Sequence, residues 1–356
     1  MTRLLPSLVV FLQWGEGMAS AARHMWQPAE PRSSFCATRR RSTRHRVSVS
    51  TGASPRFPLC VPAQFAAEIT EQAALTMAAS IEVLPVRLSD GATLDTAVVR
   101  TTAAREHATG TPLVLLHGFD SSLLEFRRLL PLLENAGVPA IAVDLVGCGF
   151  TGLQHAQSAA PDDRRDHLRA FLEQYAGSTQ VDLLGASLGG TCAIDFALAH
   201  PRLVRQIILV DAQGFVEGTP QLPGLLADVG IGVLRAIWLR SMANVMAYSD
   251  TKKFATDDAM RVGRLHTHLS DWSRSTRSFM DSGGFRVANR VREVHKRTLV
   301  VWGVDDEIIS ASVASRFAEE LPNCEICYFP ECGHVAHLER PHALRDAILR
   351  FRAENS

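Results

Sequence analysis

Between residues 111 and 212 the chain repeats one unit, a short apolar run followed by a helical stretch, and that repeat leaves few folds open. Thr111-Pro-Leu-Val-Leu-Leu116, Pro139-Ala-Ile-Ala-Val-Asp144, Val181-Asp-Leu-Leu184 and Arg205-Gln-Ile-Ile-Leu-Val210 are too short for helices and largely lack polar alternation. Such runs are strands covered on both faces. Segments 123–133, 167–175 and 191–199 lie between them with helical apolar spacing, the last ended by His200-Pro201. Repeated strand–helix units specify a parallel sheet with helices on both sides.

The pattern begins at about residue 80. Ile81–Leu88 and Thr93–Arg100, joined by Ser-Asp-Gly-Ala, read as an antiparallel hairpin. After the sixth strand the alternation lapses over 213–288, a Met- and Trp-dotted stretch that is mostly helical in pattern. It resumes with Thr298-Leu-Val-Val-Trp302, a helix over 311–320, a strand over 324–329 and a terminal helix over 342–352. The expectation is an α/β fold with eight strands and a helical lid inserted after strand six. The core then spans 80–212 and 289–356, and the cap spans 213–288. An insertion at that point lies over the carboxyl ends of the strands, where open α/β sheets bind ligands.

Residues 1–67 stand apart. They hold nine Arg, no Lys and two acids, so this segment carries +7 and the remainder −7, which the net charge of zero conceals. Met1-Thr-Arg3, the apolar Leu4-Leu-Pro-Ser-Leu-Val-Val-Phe-Leu-Gln-Trp14 and Ala19-Ser-Ala21 follow the order of a signal peptide. The Arg- and Ser-rich, acid-poor tract behind them has the composition of a transit peptide. A plastid address is the reading preferred, as a bipartite or a simple presequence, with mitochondrion or secretory pathway as alternatives. An acidic body gives no electrostatic ground for nucleic-acid binding. No run of eighteen apolar residues marks a transmembrane helix. The seven cysteines are odd in number and scattered, unlike a disulfide framework. Cys324 and Cys327 sit three apart on a strand, on opposite faces, which argues against a shared metal.

The chemistry concentrates at strand ends. Gly185-Ala-Ser187-Leu-Gly189-Gly190 joins a strand directly to a helix, the setting of a G-x-S-x-G nucleophile elbow. A serine hydroxyl needs a base to take its proton. His334, after the last strand, is the candidate; His337 and Cys332 read as structural. A carboxylate must orient the base. Asp305 and Asp306 both follow strand seven, with Asp306 preferred, and Asp211 after strand six is a more distant alternative. The order Ser, Asp, His matches one of the three known arrangements of such triads. Oxyanion donors are expected from the Leu188 amide and, in the loop His117-Gly-Phe-Asp120, from the Phe119 amide; each such donor is worth ~3–4 kcal/mol in the transition state. His117 is expected to shape that loop. No metal or organic cofactor is called for: the sequence has no H-E-x-x-H or P-loop pattern, and no G-x-G-x-x-G after a first strand.

His117-Gly118, Gly185-x-Ser187-x-Gly189, Trp302-Gly-x-x-Asp306 and Gly333-His334-x-x-x-x-Glu339-x-Pro341 together resemble the α/β-hydrolase superfamily over residues 80–356. That resemblance implies Asp306 as the acid, by the Trp-Gly-x-x-Asp spacing. His117-Gly-Phe-Asp-Ser-Ser122, Leu124-Glu-Phe-Arg-Arg128, Ala142-Val-Asp-Leu-Val-Gly-Cys-Gly-Phe150 and Phe279-Met-Asp-Ser-Gly-Gly-Phe285 resemble a cyanobacterial and plastid subgroup. Ser310 departs from the Pro that many relatives carry. Members with an Asp nucleophile, such as haloalkane dehalogenases and epoxide hydrolases, differ at Ser187. The resemblance implies a cofactor-free serine hydrolase acting on a small-molecule carboxylic ester through an acyl-enzyme. Leu225, Leu226, Leu234, Trp238, Met242, Met246, Met260, Trp272 and Phe279 are available to wall an apolar pocket. A lipophilic substrate is therefore expected, plastid phytyl esters among the analogies. A small-molecule receptor on this fold and a Ser-dependent C–C bond hydrolase are the alternatives. Oligomeric state is not encoded in any pattern seen.

Overall fold

The computed structural model describes residues 63–354, apart from 108–109, 155, 157 and 220–223. The reading of 1–67 as a presequence falls almost wholly outside these residues. Its last part, Ala63–Ala66, is a short helix with Ala66 buried.

Eight strands form one sheet: β1 (Glu82–Arg87), β2 (Thr93–Arg100), β3 (Leu113–Leu116), β4 (Ala140–Val143), β5 (Val181–Ala186), β6 (Val204–Val210), β7 (Arg297–Gly303) and β8 (Cys324–Phe329). Their order is β1-β2-β4-β3-β5-β6-β7-β8. β2 is antiparallel to β1 and β4, and every later pairing is parallel. Helices of two turns or more are α1 (Gln72–Ala79), α2 (Pro161–Tyr175), α3 (Leu188–Ala199), α4 (Gly224–Leu234), α5 (Ile237–Met246), α6 (Asp257–Arg264), α7 (Trp272–Asp281), α8 (Ser312–Glu320) and α9 (Pro341–Ala353).

All four side chains of β3 are buried, and they divide by alternation between two cores. Val114 and Leu116 join Phe171, Phe196 and Phe317 on one face; Leu113 and Leu115 join Phe126, Leu344 and Phe351 on the other. Helices therefore cover both sides, as the unbroken apolar runs require. Three local differences from the sequence pattern have physical causes. α2 begins six residues earlier than its apolar period, because Pro161 at its first turn and Asp162 and Asp163 favour a helix start. The stretch 123–133 is a 3-10 turn, Leu123–Phe126, and a separate helix, Leu130–Asn135, with Pro131 in its first turn. α1 precedes the expected core and packs Ala74, Met77 and Ala78 into it, while Glu71 at its N-cap pairs with Arg127 and Arg128.

The lid consists of α4–α7 and short turns between β6 and β7. α4 is apolar on two faces. Ile231 and Leu234 pack with Trp272 and Met280, whereas Leu226 and Val229 face outward beside Ile237 and Trp238 of α5, the latter 59% exposed. No single described helix is long and apolar enough to cross a membrane.

Packing is very tight where α3 leaves β5. A Cβ on Gly189 would fall inside contact distance of the Leu116 and His117 carbonyl oxygens of the β3 end, with no flexible side chain to give way. Gly263 on α6 has open space at the same test. Gly189→Ala is expected to lower stability by about 1–3 kcal/mol through overpacking, whereas Gly263→Ala is expected to raise it by about 0.5–1 kcal/mol. Urea unfolding of the two variants beside the parent measures both.

Candidate active site

Parallel pairing brings the strand ends together. Leu116 of β3 lies opposite Gly185 of β5, and Ala186 lies opposite Val210 of β6. The loops after β3, β5 and β6 therefore emerge side by side at the point where the strand order reverses, the usual ligand crevice.

Ser187 occupies the elbow between β5 and α3 with φ 51° and ψ −120°, a conformation costly for a residue with a Cβ. Three backbone bonds over-determine it. Its N–H donates to Val210 O (3.0 Å), and its carbonyl accepts from Gly190 N (3.0 Å) and Gln213 N (2.9 Å). Gly118 is close enough that a Cβ there would sit 3.2 Å from Ser187 Cβ. The loop carrying Phe119 thus stands against the serine. Among the described residues no acceptor takes a hydrogen bond from the Phe119 or the Leu188 amide.

His334 and Asp306 meet. His334 Nδ1 is 2.8 Å from Asp306 Oδ2, and Asp306 Oδ1 accepts from Ile308 N (2.8 Å) and Ile309 N (2.9 Å). The Asp306 side chain is wholly buried. Burial alone would lower the pKa of His334; the Asp306 charge and hydrogen bond outweigh it and raise the value above the ordinary 6.5. Asp305 turns the other way, its Oδ2 accepting from Ser249 Oγ at 2.6 Å. Asp211 is closer to the pair than its place in the chain implied. It is buried and accepts from Gly303 N (2.7 Å) and Ala336 N (3.4 Å). Burial and the Asp306 charge push it up to about 7 against the opposing pull of His334.

Four further carboxylates organise the site. Asp144, at the end of β4, accepts from Leu123 N (2.6 Å) and Phe150 N (2.7 Å) and lies 3.2 Å from His117 Nε2. Glu125 accepts from Gly118 N (2.9 Å); burial opposes its charge, but His337, His117 and that N–H hold it down at about 2. Glu339 accepts from Gly333 N (2.7 Å), Ser249 N (3.1 Å) and Asp250 N (2.8 Å), joining the His334 loop to the lid. Asp120 gathers Arg240, His266 Nε2 (2.9 Å) and Trp272 Nε1 (2.8 Å) from three lid elements. Burial works against its charge, yet Arg240 and the two hydrogen bonds keep it at about 2. Asp120, Glu125, Asp144 and Glu339 all lie within sequence motifs that point to the site, but as motif letters they carry no role until the donors they serve are seen, side chains for Asp120 and backbone amides for the other three.

A cavity opens beside this assembly. Its walls include Phe119, Leu188, Leu145, Phe279, Phe285 and Arg164, and its lining stops one residue short of Ser187. Of the lid residues expected to wall a pocket, Trp272 and Phe279 do so. Leu226 and Trp238 instead face outward, and Leu234 packs inside the lid. Helical spacing alone cannot tell the two faces of a two-faced apolar helix apart.

Residues 113–347 match the family described as the alpha/beta hydrolase family. The chain is 35% identical over 244 residues to the Arabidopsis thaliana alpha/beta hydrolase domain-containing protein VTE7, covering 68% of this chain and 74% of that protein. It is 28% identical over 258 residues to a 2-hydroxy-6-oxononadienedioate/2-hydroxy-6-oxononatrienedioate hydrolase of Paraburkholderia phymatum, covering 67% and 86% of the two. In fold it is similar to the esterase RhEst1 from Rhodococcus sp. ECU1013, with a TM-score of 0.62, 23% identity, and 77% and 98% of the two chains covered. The elbow serine, the eight-stranded sheet and these matches agree: the chain belongs to the α/β-hydrolase family.

Proposed function

We propose that this protein hydrolyses a carboxylic ester through an acyl-enzyme, with Ser187 as nucleophile, His334 as general base and acid, and Asp306 orienting the imidazole. The reading is carried by the strained Ser187 at the head of α3, with the acceptor-free Leu188 and Phe119 amides on the adjoining loops, together with the carboxylate-held His334. In this mechanism Ser187 Oγ attacks the ester carbonyl as His334 takes its proton. The Phe119 and Leu188 amides receive the developing oxyanion, and the positive end of α3 favours the same charge. His334 then protonates the leaving alcohol, and water repeats the cycle against the acyl-serine. The apolar walls of the cavity and the outward Leu226, Val229, Ile237 and Trp238 support a lipophilic substrate.

A second reading, hydrolysis of a C–C bond in a β-diketone-like substrate, uses the same residues and is favoured by the likeness to the Paraburkholderia hydrolase. We also infer a plastid location, supported by the Arg- and Ser-rich composition of residues 1–67 and the plant relative. A fluorescent protein fused behind residues 1–67 is expected to enter plastids; retention in the cytosol counts against the address.

Fluorophosphonate is expected to label the full chain, and Ser187→Ala is expected to abolish labelling and ester turnover. An unlabelled parent protein contradicts the serine-hydrolase mechanism, while labelling with diketone cleavage and no ester turnover selects the second reading. The neutral imidazole is the base, so kcat/KM is expected to fall as pH drops through the His334 pKa, with a midpoint above 6.5. Asp306→Asn removes the charge that raises this pKa. The acid limb is expected to move to lower pH and kcat to drop by about 10³–10⁴-fold, read from pH–rate profiles of the two proteins.

A further inference from the structure

Arg164 is a buried cation without a counter-charge. It stands in the first turn of α2 and is 7% exposed. Its Nε is buried with no hydrogen-bond partner, and among the described residues no carboxylate forms an ion pair with it. The nearby acids are engaged elsewhere. Asp162 and Asp195 pair with Arg165, and Asp163 accepts from Ser158. What Arg164 does touch is the face of Phe279, with Cζ 4.0 Å from the ring centroid. Its other ionisable neighbours are the Cys148 and Cys192 thiols, which burial pushes up, so both stay neutral at ordinary pH.

Taking a guanidinium out of water is costly, and fold after fold meets that cost with a carboxylate and satisfied N–H groups. A ring face offsets only part of it. Here the guanidinium instead lines the cavity that runs beside Phe119 and Leu188, among walls of Leu145, Cys148, Cys192 and Phe279. The unanswered charge and the cavity are one feature: a mainly apolar cavity, whose two carboxylates, Asp120 and Asp271, pair with Arg240 and His266 and with Arg274, with two free amides on its wall and an unpaired guanidinium on another.

We propose that Arg164 is the anion subsite of the substrate, so that the molecule seated in this cavity has an apolar body and a carboxylate or phosphate group that the guanidinium grips. A planar fork donates to two oxygens of either group at once, an anionic pair that a neutral ester tail does not supply. The proposal deepens the ester-hydrolase reading, since it names the class of ester, but the subsite itself does not depend on turnover.

The test is therefore made on binding first. Full-length Ser187→Ala is titrated by calorimetry with monomethyl esters of dicarboxylic acids of increasing length, and with the matching dimethyl esters. Alkyl phosphates and alcohols of equal length form the second arm. At the length that fits, the charged ligand is expected to bind at least tenfold more tightly than its neutral partner. Arg164→Gln in the same background is expected to bring the two within about twofold, and Arg164→Lys, which keeps the charge but loses the fork, to lie between. Preference for the half-esters assigns the subsite to a carboxylate, and preference for the alkyl phosphates to a phosphate; both support it. Equal affinity for charged and neutral ligands, or a preference that survives in Arg164→Gln, overturns it. Should Arg164→Gln fail to fold, the Lys variant decides by the same comparison, with an undiminished preference counting against the fork. A protein that binds half-esters selectively yet turns over no ester refutes the reaction and leaves the subsite standing.

Discussion

Loops that leave the top of a sheet have no ladder to satisfy their N–H groups, and in this protein buried carboxylates take the place of the ladder. Asp144 receives Leu123 and Phe150, Asp211 receives Gly303 and Ala336, Glu125 receives Gly118, Asp306 receives Ile308 and Ile309, and Glu339 receives Gly333 and two lid amides. Buried amides left without acceptors would destabilise each loop. A charged acceptor forms a stronger bond than a carbonyl, of order 1.5–3 kcal/mol. Loops held this way need little reorganisation when charge appears between them, which is the condition for electrostatic preorganisation.

The same device explains why two carboxylates close to one histidine do different things. Asp306 faces His334 Nδ1 and two backbone donors, so its charge is answered on both oxygens. Asp211 has two bonds, one of them long at 3.4 Å, and burial together with the Asp306 charge leaves it titrating near neutrality. Environment, not residue type, separates the two carboxylates.

Much of this is visible in the amino-acid order, for reasons that differ by element. The runs that become β3 to β7 are apolar on both faces, so a sheet buried on both faces follows from them directly. The turns at Ser187 and His334 are visible because Gly flanks mark tight turns beside strands, and the structure brings His334 to Asp306 and turns Asp305 to the lid. Other parts stay hidden. The run Asp162-Asp-Arg-Arg-Asp166 falls ahead of the helical spacing over 167–175, and only packing shows that Arg164 alone of these five points inward. The outward apolar face of α4 is indistinguishable from its inward face in sequence, because both are made of Leu, Ile and Val. Asp211 looks remote along the chain because its partners, Gly303 at the end of β7 and Ala336 in a short helix after β8, follow the lid.

Asp120 joins the lid to the core at a position next to Phe119, and it receives donors from three separate segments of the lid. This makes the lid a poor candidate for exchange by recombination. A chimaera carrying this lid on a core with a neutral residue at 120 would bring Arg240, His266 and Trp272 to a place where none finds its acceptor. The converse graft would strand a carboxylate beneath foreign helices. In such a molecule the boundary between core and lid is set by where the shared charge sits, and a crossover point chosen from loop positions alone would cut through it.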